Sequence, residues 1–385
     1  MKSLMQTLTR TALAAALGAG FAMSAFAADL KVGLSVSLSG PNSSLGVPYA
    51  KGMQAALAYK PEVNGRKIQL IVLDDGSDPT TAGRNARKLV EEDKVDILMG
   101  TSGVPAAIAM AQVGRDAKVP MIGLTPIQLD PAENAWVFTV AQPTQLMIDA
   151  VVQRMKKDGI KTVGYIGFTD AWGDLVYNAL MKSAPEAGIK VLGNERYARA
   201  DASVTGQVLK LVAMKPDAVM TGGAGTPGAL PFLALTERGF KGPVYGQHGL
   251  INPDFVRVVG AAGQGALMPT GPVIVAEQLP DEYPTKKIAM DFRSVFQKVN
   301  NAPTSDAFSA YSFDGWLVFT DAAARAKGEP GTPEFRLSLR DAIASTKEVV
   351  GTHGVYNFKP GNLYGVDERA RVIVKLDSGQ WKLAP

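Results

Sequence analysis

The sequence predicts an α/β protein of two wound lobes, and three observations carry that expectation. Short apolar runs alternate with helical stretches from Leu30 onward, the pattern of a parallel sheet with helices on its faces. The rhythm restarts after Gln142-Pro143-Thr144 with a second series of similar size. The chain has 385 residues, 46% of them hydrophobic, which is enough for two domains at about 150 residues each.

In the first series, residues 31–37, 67–73, 95–99 and 119–123 read as strands, and 49–59, 82–92 and 105–115 as helices. Pro105 opens its helix at no cost, because a first-turn amide has no partner within the helix. In the second series a helix over 145–157 precedes a strand over 162–167. Helices over 172–184, 204–214 and 229–237 then alternate with strands over 190–197, 218–221 and 244–246. After Gly271-Pro272 come three helices, over 284–299, 307–326 and 333–345, and the tail returns to strands over 355–358 and 371–376, with Trp381 closing the chain.

The opening residues are set apart. Lys2 and Arg10 lead into an apolar run from Thr11 to Ala22, and Ala25-Phe26-Ala27 supplies the small residues a signal peptidase reads, so residues 1–27 are expected to be an export signal cleaved near Ala27. The run is shorter than the roughly 20 apolar residues of a membrane span. Without the leader, 38 basic side chains face 36 acidic ones and carry no dense basic cluster, so no nucleic-acid partner is expected. No cysteine occurs, which excludes disulfides, thiolate metal sites, a cysteine nucleophile and a lipoprotein anchor. A free periplasmic protein without a membrane anchor is the expectation.

Catalytic signatures are thin. His248 and His353 are the only histidines and have no metal-site spacing; a serine nucleophile elbow and a Walker loop are missing. Gly223-Ala-Gly225-Thr-Pro-Gly228 fits a dinucleotide-binding pattern, yet the acidic residue wanted about 20 positions on is replaced by Val244-Tyr-Gly-Gln-His248. A nicotinamide-dependent oxidoreductase is the alternative resting on that turn; otherwise it is a glycine turn that lets a ligand or the other lobe approach closely. No cofactor or metal is expected. The turn Gly100-Thr-Ser102-Gly103-Val104-Pro105 joins a strand end to a helix start, where free amides and a hydroxyl suit an anion, or where the helix is simply capped. Its counterpart is Phe168-Thr-Asp170-Ala-Trp172-Gly173, in which Asp170 can cap the next helix and Trp172 can present a ring or pack. Both turns sit at the carboxyl ends of strands, where wound folds bind ligands.

Lys31-Val-Gly-Leu-Ser with Leu38-Ser-Gly-Pro41, Leu73-Asp-Asp75 with Asp78-Pro79, Gly100–Val104 and Tyr165–Gly173 follow one another in an order that resembles periplasmic binding proteins of the leucine/isoleucine/valine-binding type, the soluble receptors of ABC importers. The resemblance implies two Rossmann-like lobes with wound parallel sheets, joined by a hinge of three crossover strands, with the ligand cleft between them. One lobe is expected over 28–142 plus 272–350 and the other over 143–271 plus 351–385. The implied partners are a small-molecule ligand and an inner-membrane permease with its ATPase; a sensory module with the same pocket is a further reading.

In amino-acid receptors of this type a first-lobe turn and nearby backbone hold the ligand carboxylate, at positions occupied here by Ser102, Gly103, Val104, Thr125 and Ile127. The acidic residue that holds the ligand ammonium is replaced by His248, and two rings that close the pocket are replaced by Leu45 and Ala224, with Trp172 keeping an aromatic. Burying an ammonium without a carboxylate is costly, whereas histidine can donate to a carboxylate or carbonyl. A carboxylate ligand without an α-ammonium, an aromatic or oxo acid, is therefore expected, with Asp170 able to hold an ammonium if the ligand is a branched-chain amino acid instead.

Overall fold

The computed structural model describes residues 29–304 and 306–384; the expected export signal lies outside them. The first lobe starts with β1 (Leu30–Val36), α1 (Ser43–Tyr59), β2 (Glu62–Val63), β3 (Arg66–Asp74), α2 (Pro79–Glu91), β4 (Ile97–Gly100), α3 (Val104–Asp116), β5 (Met121–Gly123) and β6 (Val137–Thr139). Its sheet runs β2-β3-β1-β4-β5-β6, parallel except for the β2–β3 pair. β1 is apolar and buried along nearly its whole length because helices cover both faces of a parallel sheet. α1 starts earlier than its apolar periodicity suggests and carries Pro48 inside it, which removes one backbone bond.

The second lobe continues with α4 (Thr144–Lys157), β7 (Thr162–Phe168), α5 (Ala171–Glu186), β8 (Lys190–Tyr197), α6 (Thr205–Ala213), β9 (Ala218–Gly222), α7 (Leu230–Glu237), β10 (Val244–Tyr245), α8 (Pro253–Val259) and β11 (Leu267–Thr270). After it come α9 (Lys286–Asn300), α10 (Phe308–Arg325), α11 (Pro333–Ala344), the hairpin of β12 (Val349–Val350) and β13 (Val355–Tyr356), then β14 (Val372–Asp377) and β15 (Gln380–Leu383). The second sheet is β15-β14-β11-β10-β9-β7-β8; its five early strands are parallel, and β14 and β15 extend it antiparallel. Six elements have no counterpart in the sequence reading: β2, β6, β11, β12 and β15 are two to four residues each, β11 contains Pro269, and α8 is a two-turn helix.

α10 is buried on nearly every face and lies along α1. The approach depends on Gly52, where a Cβ would stand 2.0 Å from the Ser309 carbonyl oxygen.

The chain passes between lobes after β6, after β11, and between Tyr364 and β14. The third passage falls later than the expected boundary at residue 350. Residues up to Tyr364 stay on the first lobe because Thr139 N–H donates to Leu363 O (2.8 Å) and Tyr356 hydroxyl donates to Val140 O (2.9 Å) and to Asp314 (2.8 Å). The passages converge on one buried cluster. Gln142 Nε2 donates to Ala370 O (2.9 Å) and lies 3.4 Å from His353 Nδ1, and the Tyr311 hydroxyl donates to Gln142 Oε1. The Tyr311 ring stacks on His353 with centroids 3.8 Å apart. Gly271, on the second passage, faces the same imidazole so closely that any Cβ would collide with Nδ1.

Candidate ligand-binding site

The carboxyl ends of both sheets face each other across a narrow cavity. From the first lobe come Leu45 and Tyr49 of α1, the turn Ser102–Val104, Leu124–Pro126 and Phe308 and Tyr311 of α10; from the second come Trp172, Arg199, Ala224, His248 and Gly249. Eight of the ten residues singled out in the sequence are thus brought together: Leu45, Ser102, Gly103, Val104, Thr125, Trp172, Ala224 and His248.

Two are not. Ile127 lies past the cavity and lines a different cleft, its carbonyl accepting from the Tyr364 hydroxyl (2.6 Å). Asp170 is the N-cap of α5, accepting from the amides of Trp172 (3.0 Å) and Gly173 (3.3 Å), and its other oxygen is paired with Arg199 Nε (2.5 Å). With both oxygens engaged and the side chain off the cavity wall, the reserve role expected for it as an ammonium partner is not what its geometry offers.

Sequence reasoning missed Arg199, Tyr49, Phe308 and Tyr311. Arg199 follows the end of β8 by two residues; its only signal is that location, at a strand end where wound folds bind ligands. Its guanidinium lies 4.1 Å from the Phe168 ring centroid and donates across the cleft to Asn42 Oδ1 (2.9 Å). The three rings come from helices distant in sequence: beside Trp172, the aromatic that the resemblance retains, α1 and α10 deliver the others. Tyr49 and Phe308 meet edge to face at 5.4 Å.

Local bonding fixes the turn of the first lobe. Asp75 accepts from the Ser37 hydroxyl (2.6 Å) and from the Thr101 hydroxyl, and Ser102 Oγ accepts from Ser37 N–H (3.0 Å), leaving the Ser102 proton free to donate. α3 begins at Val104 with no side-chain cap, so its first amides and the positive end of its dipole border the cavity.

Opposite stands His248, 3% exposed, with no hydrogen-bond partner among the described residues for either ring nitrogen. Burial pulls its pKa down to about 3, so the ring is neutral, one nitrogen a donor and the other an acceptor. It meets Trp172 edge to face at 5.4 Å. The Gly223 turn beneath them is tied into the protein: Gly223 O accepts from Trp172 Nε1 (3.4 Å) and from Gln247 Nε2, and Thr226 N–H donates to Ser44 Oγ of the other lobe (3.2 Å). An amide that a pyrophosphate would need is therefore spent on the facing lobe, against the dinucleotide reading. Among the described residues no cluster of side chains could hold a metal, and no helix is long and apolar enough to cross a membrane.

Residues 29–361 match the periplasmic binding protein family. A Leu/Ile/Val-binding protein homologue of Brucella melitensis is 27% identical over 68% of this chain and 72% of its own length. An extracellular ligand-binding receptor from Rhodopseudomonas palustris has a solved structure that superposes with a TM-score of 0.90 at 39% identity, covering 93% of this chain and all of that one. A solute-binding protein of an ABC transporter from R. palustris, solved in complex with benzoate, superposes with a TM-score of 0.78 at 21% identity over 92% and 95% of the two chains. Two wound sheets with a shared cavity at their carboxyl ends, together with these matches, make the chain a member of the periplasmic binding protein family, of the leucine/isoleucine/valine-binding type.

Proposed function

We propose that this receptor captures a small carboxylate without an α-ammonium, an aromatic acid first and an oxo acid second, and delivers it to a permease and its ATPase. One observation carries the reading: among the described residues the cavity wall holds one guanidinium, Arg199, and no carboxylate, while Tyr49, Trp172, Phe308 and Tyr311 supply rings. A buried ammonium would find no counter-ion there, whereas a carboxylate meets donors from both lobes. Ser102 and the first amides of α3 offer hydrogen bonds from one side, Arg199 and His248 from the other. An anion that engages both sets gains contacts only when the lobes are closed, so binding shifts the population to the closed form. Benzoate in the R. palustris structure supports the ligand class, although that protein shares only the fold at this identity. Binding and release without chemistry, after export through the leader at residues 1–27, complete the proposal.

The test is calorimetry and thermal shift on the mature protein with benzoate, phenylpyruvate, a branched oxo acid, leucine and valine. Ligand at a hundredfold excess over its dissociation constant adds about 2.7 kcal/mol, which is visible as a shift in melting temperature. Shifts confined to the acids without an ammonium are expected. A shift with leucine and none with the other acids would replace this reading with a branched-chain amino acid receptor.

A further inference from the structure

Where the first passage leaves the first lobe, one hydroxyl stands between two acceptors. The Tyr356 hydroxyl of β13 lies 2.9 Å from Val140 O, one residue past β6, and 2.8 Å from Asp314 Oδ2 on α10. A phenol has one proton, so an ionised Asp314 and the Val140 carbonyl compete for it. A protonated Asp314 ends the competition: the acid donates to the tyrosine oxygen, and the tyrosine proton goes to Val140 O.

The carboxyl is fully buried, and Gly351 packs on it so closely that a Cβ would stand 2.7 Å from Oδ2. It accepts from the amides of Thr352 (2.6 Å) and His353 (2.9 Å), bonds that either protonation form can take. The Thr352 hydroxyl stands beside it without hydrogen-bond geometry. Among the described residues no lysine or arginine pairs with Asp314, and α1 and α11, the helices packed on α10, supply no hydrogen bond to it. Burial lifts the carboxyl to about 6.

The titratable neighbours keep one charge state in that range. Tyr356, and Tyr311 three residues earlier on α10, are pushed far above the usual phenol value, chiefly by burial. His353 is held neutral down to about 3 by burial, with its Nε2–H donating to Ala307 O (2.9 Å).

The carboxyl is tied to the moving parts. Val140 lies two residues before Gln142 on the first passage, and the His353 ring presses on Gly271 of the second and stacks on Tyr311, which lines the ligand cavity. The lobes are closed on each other, bridged by the bonds Arg199–Asn42 and Thr226–Ser44, so the arrangement that calls for the extra proton belongs to the closed form.

We propose that Asp314 is a proton-binding pin of the hinge: its neutral acid lets Tyr356 hold Val140 in the closed form, and its ionisation draws the tyrosine proton away and slackens the first passage. Closure then takes up a proton, so ligand affinity is higher at acid pH and falls as pH rises through the carboxyl's titration, and the ligand raises proton affinity by the same factor. The inference rests on two-lobe closure and not on which ligand is bound.

The experiment follows the side-chain carboxyl carbon-13 resonance of Asp314 in the mature protein from about pH 4.5 to 8, with and without ligand, and measures proton uptake by calorimetry in buffers of different ionisation enthalpy. The ligand is benzoate, or leucine if leucine alone shifts the melting temperature, so a failed ligand class and a failed pin are told apart. A midpoint near 6 with ligand is expected, and one at least about half a unit lower without it. A half-unit gap corresponds to about threefold tighter binding at the acid end and about 0.3 proton taken up between the two midpoints. Asp314→Asn removes the titrating group; Tyr356→Phe removes the shared proton and keeps both amide bonds to the carboxyl. Uptake should vanish in both. A carboxyl that stays in one form across the range, equal midpoints with and without ligand, or uptake that persists in Tyr356→Phe overturns the pin.

Discussion

Arg199→Met is the perturbation that bears most directly on the ligand. Methionine keeps the length of the side chain and removes the one cation that the described residues place on the cavity wall. Truncating one member of a buried, hydrogen-bonded charge pair costs about 2–5 kcal/mol, much of it from leaving the other charge unpaired. The Arg199 side chain is 16% exposed and shares its charge with Asp170, so the low end applies, about 2–3 kcal/mol. At 1.4 kcal/mol per decade that is a loss of roughly 30- to 150-fold in affinity for benzoate. Calorimetry reads it directly, with circular dichroism to check that the fold persists. The variant also loses the bond to Asn42, which the Asn42→Ala variant measures separately. An affinity within threefold of the parent would refute the carboxylate–guanidinium contact and return the ligand class to the amino acids.

Asp170→Asn keeps an oxygen to cap α5 while removing the negative charge beside Arg199, so carboxylate affinity should hold or rise a few-fold in the same titration. A fall of tenfold or more confined to leucine would reveal an ammonium partner. Asn42→Ala deletes a bond between lobes worth about 1 kcal/mol; about fivefold weaker binding and a larger radius of gyration without ligand, by small-angle scattering, are expected. His248→Leu tests the neutral ring. The native imidazole stays unprotonated down to about pH 3, whereas an unfolded histidine titrates near 6.5, so the unfolded state binds the extra proton and stability falls as pH drops through that window. From pH 7 to 5 the single ring accounts for about 2 kcal/mol, and urea melts should show a loss that much smaller in the variant. His353 behaves likewise, and Asp314, raised to about 6 by burial, runs the other way; both are common to parent and variant and cancel. Equal losses would mean that the parent ring is charged.

The alternation of apolar runs made both sheets legible, because inner strands of a parallel sheet such as β1, β4 and β9 are buried on two faces and read as unbroken apolar stretches. What escaped was short or edge-like: β11 contains a proline that single-sequence patterns assign to loops, and the edge strands β2 and β15 are only two and four residues long. The site divides in the same way. Ser102, Gly103 and Val104 lie in one turn whose composition announces a helix start without a side-chain cap, and Trp172 stands beside an equally recognisable cap. Tyr49, Phe308 and Tyr311 look like core residues on their own helices, and only the packing of α10 on α1 aims their rings at the cavity. Arg199 has no motif around it. Its role depends on Asp170 and Asn42, which lie 29 and 157 positions away, and no local pattern encodes that meeting.

The pairing of Arg199 with Asp170 sets how far this pocket stands, in sequence space, from one of opposite charge preference. The carboxylate that an ammonium would need is already in the wall's second layer, kept from the ligand by one guanidinium. On the proposed reading, a lineage that replaced Arg199 with an apolar residue would remove the proposed anion anchor and free one oxygen of Asp170 in a single step, with α5 still capped by the other. If the ligand is the proposed acid, receptors for acids and receptors for amines can in this way be near neighbours built on one scaffold, one codon apart at position 199.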